Sequence, residues 1–146
     1  MAIRQIEPPE AHNILSNNPE AVYLDVRTEG EFAAGHAAGA INIPVLFITG
    51  PGVSEENPEF VTVAHKIIPI DRKLVVGCLS GGRSQRACEI LEQLGYTDVS
   101  NVRGGFGGAR DGSGRVIVEG WRDAGLPVSE EVGESGYKAL RKKAGL

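Results

Sequence analysis

The segment Lys73-Leu74-Val75-Val76-Gly77, followed by a tight loop and then by apolar residues at Ala87, Ile90, Leu91 and Leu94, constrains the fold more than any other stretch. Its first part is short, apolar and β-branched, the pattern of a strand buried on both faces. Its second part keeps the i, i+3, i+4, i+7 spacing of an amphipathic helix, which Gly95 ends as a C′ residue with Tyr96 behind it. Further alternating elements surround this unit. Ala2 to Ile6 reads as a short first strand, and Pro8-Pro9-Glu10 opens a helix that ends at Asn17-Asn18-Pro19. Val22 to Val26 reads as a buried strand. Thr28 and Glu31 form a capping box for a helix to about Ala34. Ala40 to Ile43 is a short strand closed by Pro44. Asn57-Pro58-Glu59 caps a helix with an apolar stripe of Phe60, Val63, Ala64 and Ile67, stopped by Pro69. Asp98 to Val102 is a last strand. The β-α-β-α-β order predicts an α/β fold with a parallel sheet covered on both faces.

Two stretches read as irregular. Residues 44–56 carry Pro, Gly and acidic residues and are expected to form a loop. Residues 104–120 contain seven glycines, too many for a helix or a regular strand. The tail from Ser129 onward predicts a marginal helix at Tyr137 to Lys143, solvated and bearing Lys138, Arg141, Lys142 and Lys143.

With 146 residues the chain is long enough for one domain with its own core. A net charge of −4 gives no broad positive field for nucleic acid or an anionic membrane surface, and no apolar run reaches a membrane span. Two isolated cysteines, Cys78 and Cys88, suit neither a disulfide scaffold nor a zinc site and read as reduced thiols. Met1 to Glu7 carries no long apolar stretch of a signal peptide, so the cytoplasm is the expected compartment.

The chemistry concentrates in Cys78-Leu79-Ser80-Gly81-Gly82-Arg83-Ser84, between the buried strand and the amphipathic helix. In an open parallel sheet, ligands bind beyond the strand C-termini. The loop feeds a helix N-terminus, whose unpaired N–H groups favour an anion, and a thiolate is the nucleophilic form of cysteine. Gly81 and Gly82 let several N–H groups converge on one point. Arg83 adds a forked cation, and Ser84 is a natural N-cap that could also donate to the sulfur. A thiolate in an anion nest serves sulfur transfer through a persulfide or phosphoryl transfer through a phosphocysteine. The four residues between Cys78 and Arg83 make a tight ring, suited to a terminal sulfur rather than a phosphate.

Here the sequence resembles the rhodanese superfamily. One motif is Leu24-Asp25-Val26-Arg27, Glu31-Phe32, Gly35-His36 and Gly39 to Pro44; the second is the Cys78 to Ser84 loop, similar to that of single-domain thiosulfate sulfurtransferases. Gly104-Gly105, Trp121 and Gly125-Leu126-Pro127 form a weaker third, and together they span about residues 3–128. The resemblance implies a three-layer α/β/α domain over 1–128 with a five-stranded parallel sheet, and a C-terminal tail over 129–146. It implies a ping-pong reaction in which Cys78 takes sulfur from thiosulfate or a related donor and passes it to cyanide or a thiol, including a protein thiol. The N–H groups of the loop from Leu79 to Ser84 would hold the persulfide and Arg83 the donor's oxyanion. No metal or organic cofactor is implied. In the related dual-specificity phosphatases the loop is one residue longer. Two other readings stand beside this one: a thiol phosphatase or arsenate reductase, and a sulfur-relay or docking module serving one protein partner.

This chain departs from the compact pattern in a glycine-rich insertion, Phe106 to Gly120, between the Gly-Gly pair and Trp121, expected near the mouth of the site. Ser80 stands where two-domain thiosulfate enzymes often carry a basic residue. Asp25, Arg27, Glu31 and His36 read as supporting residues: Glu31 is placed to pair with Arg27, and His36 reads as a packing and hydrogen-bonding residue. Cys88, ten residues beyond Cys78, reads as a structural thiol well away from it. Arg86 and Arg103 would add positive potential near the loop. The glycine-rich stretch lacks a nucleotide-loop pattern.

Overall fold

Five strands form one parallel sheet in the computed structural model, which describes residues 3–146. They are β1 (Arg4–Ile6), β2 (Val22–Asp25), β4 (Ile41–Asn42), β7 (Leu74–Gly77) and β8 (Val99–Val102), in the order β1-β8-β7-β2-β4. Ala2, the expected start of the first strand, lies outside the described residues. The helices are α1 (Pro8–Asn17), α2 (Glu29–Ala34), α3 (Phe60–Ile67), α4 (Gly82–Gln93) and α5 (Tyr137–Lys143). Successive side chains of a strand point to opposite faces. Leu74 and Val76 accordingly pack with Phe60 and Val63 of α3 and Ala87 and Leu91 of α4. Val75 turns the other way, into a cluster with Tyr23, Ala11 of α1, Phe32 of α2 and Trp121. Two apolar clusters on two faces make the three-layer α/β/α arrangement.

Local chemistry sets the helix ends. The Thr28 hydroxyl accepts from the Glu31 N–H and the Glu31 carboxylate accepts from the Thr28 N–H, the reciprocal capping box at the start of α2. At the end of α4, Gly95 N–H donates to Glu92 O and Tyr96 N–H to Leu91 O, the paired bonds of a Schellman motif. Asn57 braces the turn before α3, whose N-cap is Glu59 with no side-chain cap bond. Asn57 Oδ1 accepts from Glu59 N–H at 3.0 Å, while Nδ2 donates to Pro44 O and to the Tyr137 hydroxyl.

Three sequence expectations need correction. Residues 44–56 are not a plain loop: β5 (Leu46–Gly50) and β6 (Val53–Glu56) pair as an antiparallel hairpin turning at Pro51-Gly52. β6 is exposed along its length, so no burial pattern marks it in the sequence. The glycine-rich stretch also contains a hairpin, β9 (Ala109–Arg110) with β10 (Val116–Val118). Its turn is held by Asp111, whose Oδ1 accepts from Ser113 N–H, the Ser113 hydroxyl and Arg115 N–H.

The third correction concerns the tail. β11 (Val128–Ser129) pairs antiparallel with β3 (His36–Ala37). α5 then returns to the sheet, burying Tyr137, Leu140 and Ala144 in the cluster with α3 and α4. Arg141 grips both carboxylate oxygens of Glu59. The helix is not a solvated appendage. Leu140→Ala is therefore expected to lower stability by about 2–4 kcal/mol, read from denaturant midpoints, where a solvated position would cost under ~0.5 kcal/mol.

Candidate active site

β7 delivers Cys78 to the C-terminal edge of the sheet, and α4 begins four residues later. The sulfur is nearly enclosed: Cys78 is 2% exposed. Its Sγ accepts from Gly81 N–H at 3.1 Å, and the Ser84 hydroxyl lies 3.4 Å away. The expectation that Ser84 caps α4 is corrected. Gly81 is the N-cap and Ser84 stands in the first turn, with its hydroxyl also 3.1 Å from Gly81 O and 2.5 Å from Asn101 Oδ1. One hydroxyl hydrogen serves one acceptor at a time. Asn101 Oδ1, Gly81 O and Sγ therefore compete for it.

Every carbonyl of the loop is tied down on the outside. Cys78 O accepts from Phe106 N–H and Leu79 O from Gly107 N–H, each at 2.8 Å, and Ser80 O accepts from Gly104 N–H at 3.1 Å. Gly81 O accepts from Gln85 N–H, the Ser84 hydroxyl and Asn101 Nδ2. In a trans peptide the C=O and the following N–H point in opposite directions. Fixing these carbonyls outward therefore turns the N–H groups of Leu79, Ser80, Gly81 and Gly82 the other way, as the Gly81 contact with Sγ illustrates. The result is an anion nest assembled before any ligand arrives.

Arg83 is not free in the nest. Its two terminal nitrogens bind the two oxygens of Glu31 at 2.7 and 3.0 Å. Glu31 thus pairs with Arg83 and not with Arg27, as the sequence had suggested. Arg27 instead forks onto Asp25, through Nε at 3.1 Å and Nη2 at 2.8 Å, and gives Nη2 to Gly35 O as well. Residues two apart on an extended chain share a face, which favours this partner. Both groups are buried, and the Arg27 guanidinium lies 4.7 Å from the Phe106 ring centre. His36 lies against Phe32, its ring stacked on the phenyl and its Nδ1 2.7 Å from Phe32 O. It belongs to the scaffold. Leu79 and Ser80 are exposed at the mouth.

Burial works against ionisation of Glu31, but the hydrogen bonds and charge of Arg83, with the donors of Thr28, outweigh it and bring the carboxyl down to about 2. A depressed carboxyl stabilises the fold above its ordinary value of 4.5, and that contribution is lost as pH falls through about 2. The stability difference between wild type and Glu31→Gln is therefore expected to be constant above about pH 5 and to shrink steadily below it, measured by urea unfolding. A difference that grows on acidification would contradict the pairing.

Cys88 packs in the same apolar cluster as Cys78. Burial, then the negative charge at Cys78, pushes its thiol up to about 12. It stays protonated at neutral pH. Arg86 and Arg103 find partners in Glu56 and Glu7, which offsets the potential expected of them. Sequence reasoning missed Asn101, which reaches from β8 to Ser84, Gly81 O and Gln5 Oε1. Its one signal was a polar residue inside an otherwise strand-like run. The clamp from Gly104 to Gly107 had no local signal beyond its glycines.

The family model described as the rhodanese-like domain matches residues 7–110. "Thiosulfate sulfurtransferase 16, chloroplastic" of Arabidopsis thaliana is 42% identical over 106 residues, 73% of this chain and 78% of that protein. "Protein HIGH ARSENIC CONTENT 1, mitochondrial" of the same plant is 44% identical over 84 residues, 58% of this chain. The aligned part spans about half of that relative, 49%. Among solved structures, Rv0390 of M. tuberculosis superposes with a TM-score of 0.74 at 32% identity, covering 90% of this chain and all of that one. A family match over more than two thirds of the sequence, with relatives and a solved structure above 30% identity beside it, means that the chain belongs to the rhodanese-like domain family.

Proposed function

We propose that the chain is a sulfurtransferase that carries sulfane sulfur as a persulfide on Cys78. The observation that carries this reading is the clamped loop: its carbonyls are bound outward and an N–H already donates to Sγ. The Cys78 thiolate attacks the outer sulfur of thiosulfate. A sulfur–sulfur bond forms to Sγ, the bond inside thiosulfate breaks, and sulfite leaves with the electron pair. Cyanide or a thiol then takes the outer sulfur and returns Cys78 to the thiolate. The N–H groups of Leu79 to Gly82 hold the added charge, and Ser84 donates to Sγ as the leaving thiolate. Arg83, engaged by Glu31, fixes the first turn of α4 and lends its charge from outside the nest. A reducing compartment such as the cytoplasm keeps both cysteines as thiols, which this cycle needs. Thiosulfate as donor is supported by the name of the Arabidopsis relative at 42% identity.

The name of the arsenic-related relative favours a second reading, in which Cys78 reduces arsenate. Intact-protein mass spectrometry separates the two. After thiosulfate, wild type should gain one sulfur, about 32 Da, and lose it to cyanide with release of thiocyanate. No gain with thiosulfate, together with Cys78-dependent arsenate reduction by a dithiol, would replace the first reading by the second. Rapid transfer to one protein partner with negligible turnover of small thiols would favour a sulfur-relay module.

A further inference from the structure

The insertion that sets this chain apart builds a cavity onto the active-site loop. Leu79, Ser80, Gly107, Gly108, Arg110 and Arg122 line an open cleft of ≈ 500 Å³. Leu79 and Ser80 follow Cys78 in the active-site loop, so the cleft borders the rim of the loop that holds the sulfur. Two guanidinium groups line it and no carboxylate does. Both are held in place with donors to spare. Arg110 gives one terminal nitrogen to Gly114 O at 2.8 Å, within the β9–β10 hairpin. Arg122 touches Asp123 through Nε, and its guanidinium lies 5.5 Å from the Phe106 ring centre. A guanidinium has five N–H donors in a fork that matches a carboxylate. Arg83 is bound on both terminal nitrogens by Glu31, whereas the Asp123 contact of Arg122 runs through Nε.

The volume is that of a site for a small organic molecule, well beyond what a bare sulfite or thiosulfate ion fills. Leu79, 43% exposed, supplies an apolar wall. From these features we infer that the cavity binds the carboxylate end of the sulfur acceptor, a low-molecular-weight thiol that bears carboxylates. The inference rests on the transferase reading. With its carboxylate on Arg110 and Arg122, the acceptor's thiolate attacks the outer sulfur of the Cys78 persulfide. A new sulfur–sulfur bond forms to the acceptor, the bond to Sγ breaks, and Cys78 leaves as a thiolate while the product departs as an organic persulfide.

The test uses the full chain and the Arg110→Gln/Arg122→Gln variant, both substitutions being at exposed positions. S-Methylglutathione, which carries the carboxylates but cannot accept sulfur, probes binding by calorimetry. Glutathione and neutral 2-mercaptoethanol are compared as acceptors. The variant should weaken S-methylglutathione binding about tenfold and raise KM for glutathione about tenfold more than KM for 2-mercaptoethanol. Absence of binding to wild type, equal binding to the variant, or equal KM changes for the two thiols would overturn the site. Failure of wild type to load sulfur on Cys78 would overturn the transferase reading, whereas arginine-dependent S-methylglutathione binding would still stand as evidence for the cavity.

Discussion

Cys78→Ser is expected to abolish sulfur transfer, by at least about four orders of magnitude in single-turnover rate, with a melting temperature within about 2 °C of wild type. A serine hydroxyl fits the same enclosed space and still accepts from Gly81 N–H, so the nest survives. It cannot bond a sulfane sulfur. The competing thiol is Cys88, which shares the cluster but is held protonated by burial, its thiol pushed up to about 12. Cys88→Ser should accordingly retain persulfide formation. Rapid transfer by Cys78→Ser, lost only when Cys88 is also replaced, would reassign the nucleophile. Intact-mass measurement after thiosulfate reads both variants in one experiment.

Gly105→Ala should damage both the fold and sulfur transfer. Gly105 has φ +50°, and an added Cβ would overlap the Cys78 carbonyl oxygen and approach Leu79 O at 2.8 Å. Those carbonyls are the ones that Phe106 and Gly107 tie down. A methyl group there must push the loop away from its clamp, because neither side is a flexible side-chain end. Overpacking costs about 1–3 kcal/mol, and the positive φ adds strain of about 1 kcal/mol or more. We expect a loss of about 2–4 kcal/mol, a melting point lower by roughly 5–15 °C, and transfer reduced at least about tenfold at temperatures where the variant remains folded. Full activity in a folded Gly105→Ala protein would mean that the clamp does not shape the nest.

The parts of this fold that can be read from the sequence are those whose signals are local. The run Leu74 to Gly77, the stripe on α4, the Thr28–Glu31 box and the Gly95 terminus each lie within a dozen residues, and each forms as its pattern implies. The cysteine loop is legible for the same reason. What escaped depends on distant or solvent-facing partners. Arg83 meets Glu31 across 52 positions, and no spacing rule connects them. The stripe on α5 is only Tyr137, Leu140 and Ala144, too thin to announce burial until Asn57 and the α3 cluster are seen beside it. β5 and β6 expose most of their surface, so alternation carries no energetic weight there. The glycines of 104–120 obscured a hairpin because several of them serve the close packing of its base, while the turn itself rests on Asp111.

That base also makes the hairpin separable. An added Cβ at Gly120 would overlap Gly108 N, so the chain that leaves at Gly108 comes back to the same point twelve residues on. Trp121 N–H donates to Gly105 O and Arg122 N–H to Phe106 O, stapling the return to the clamp rather than to the hairpin. The arm between those points can therefore lengthen, shorten or change its charges while the sulfur chemistry beneath it stays constant. Such an arrangement uncouples the evolution of substrate preference from the evolution of catalysis: new acceptors can be sampled by drift in a surface arm, with little penalty in folding.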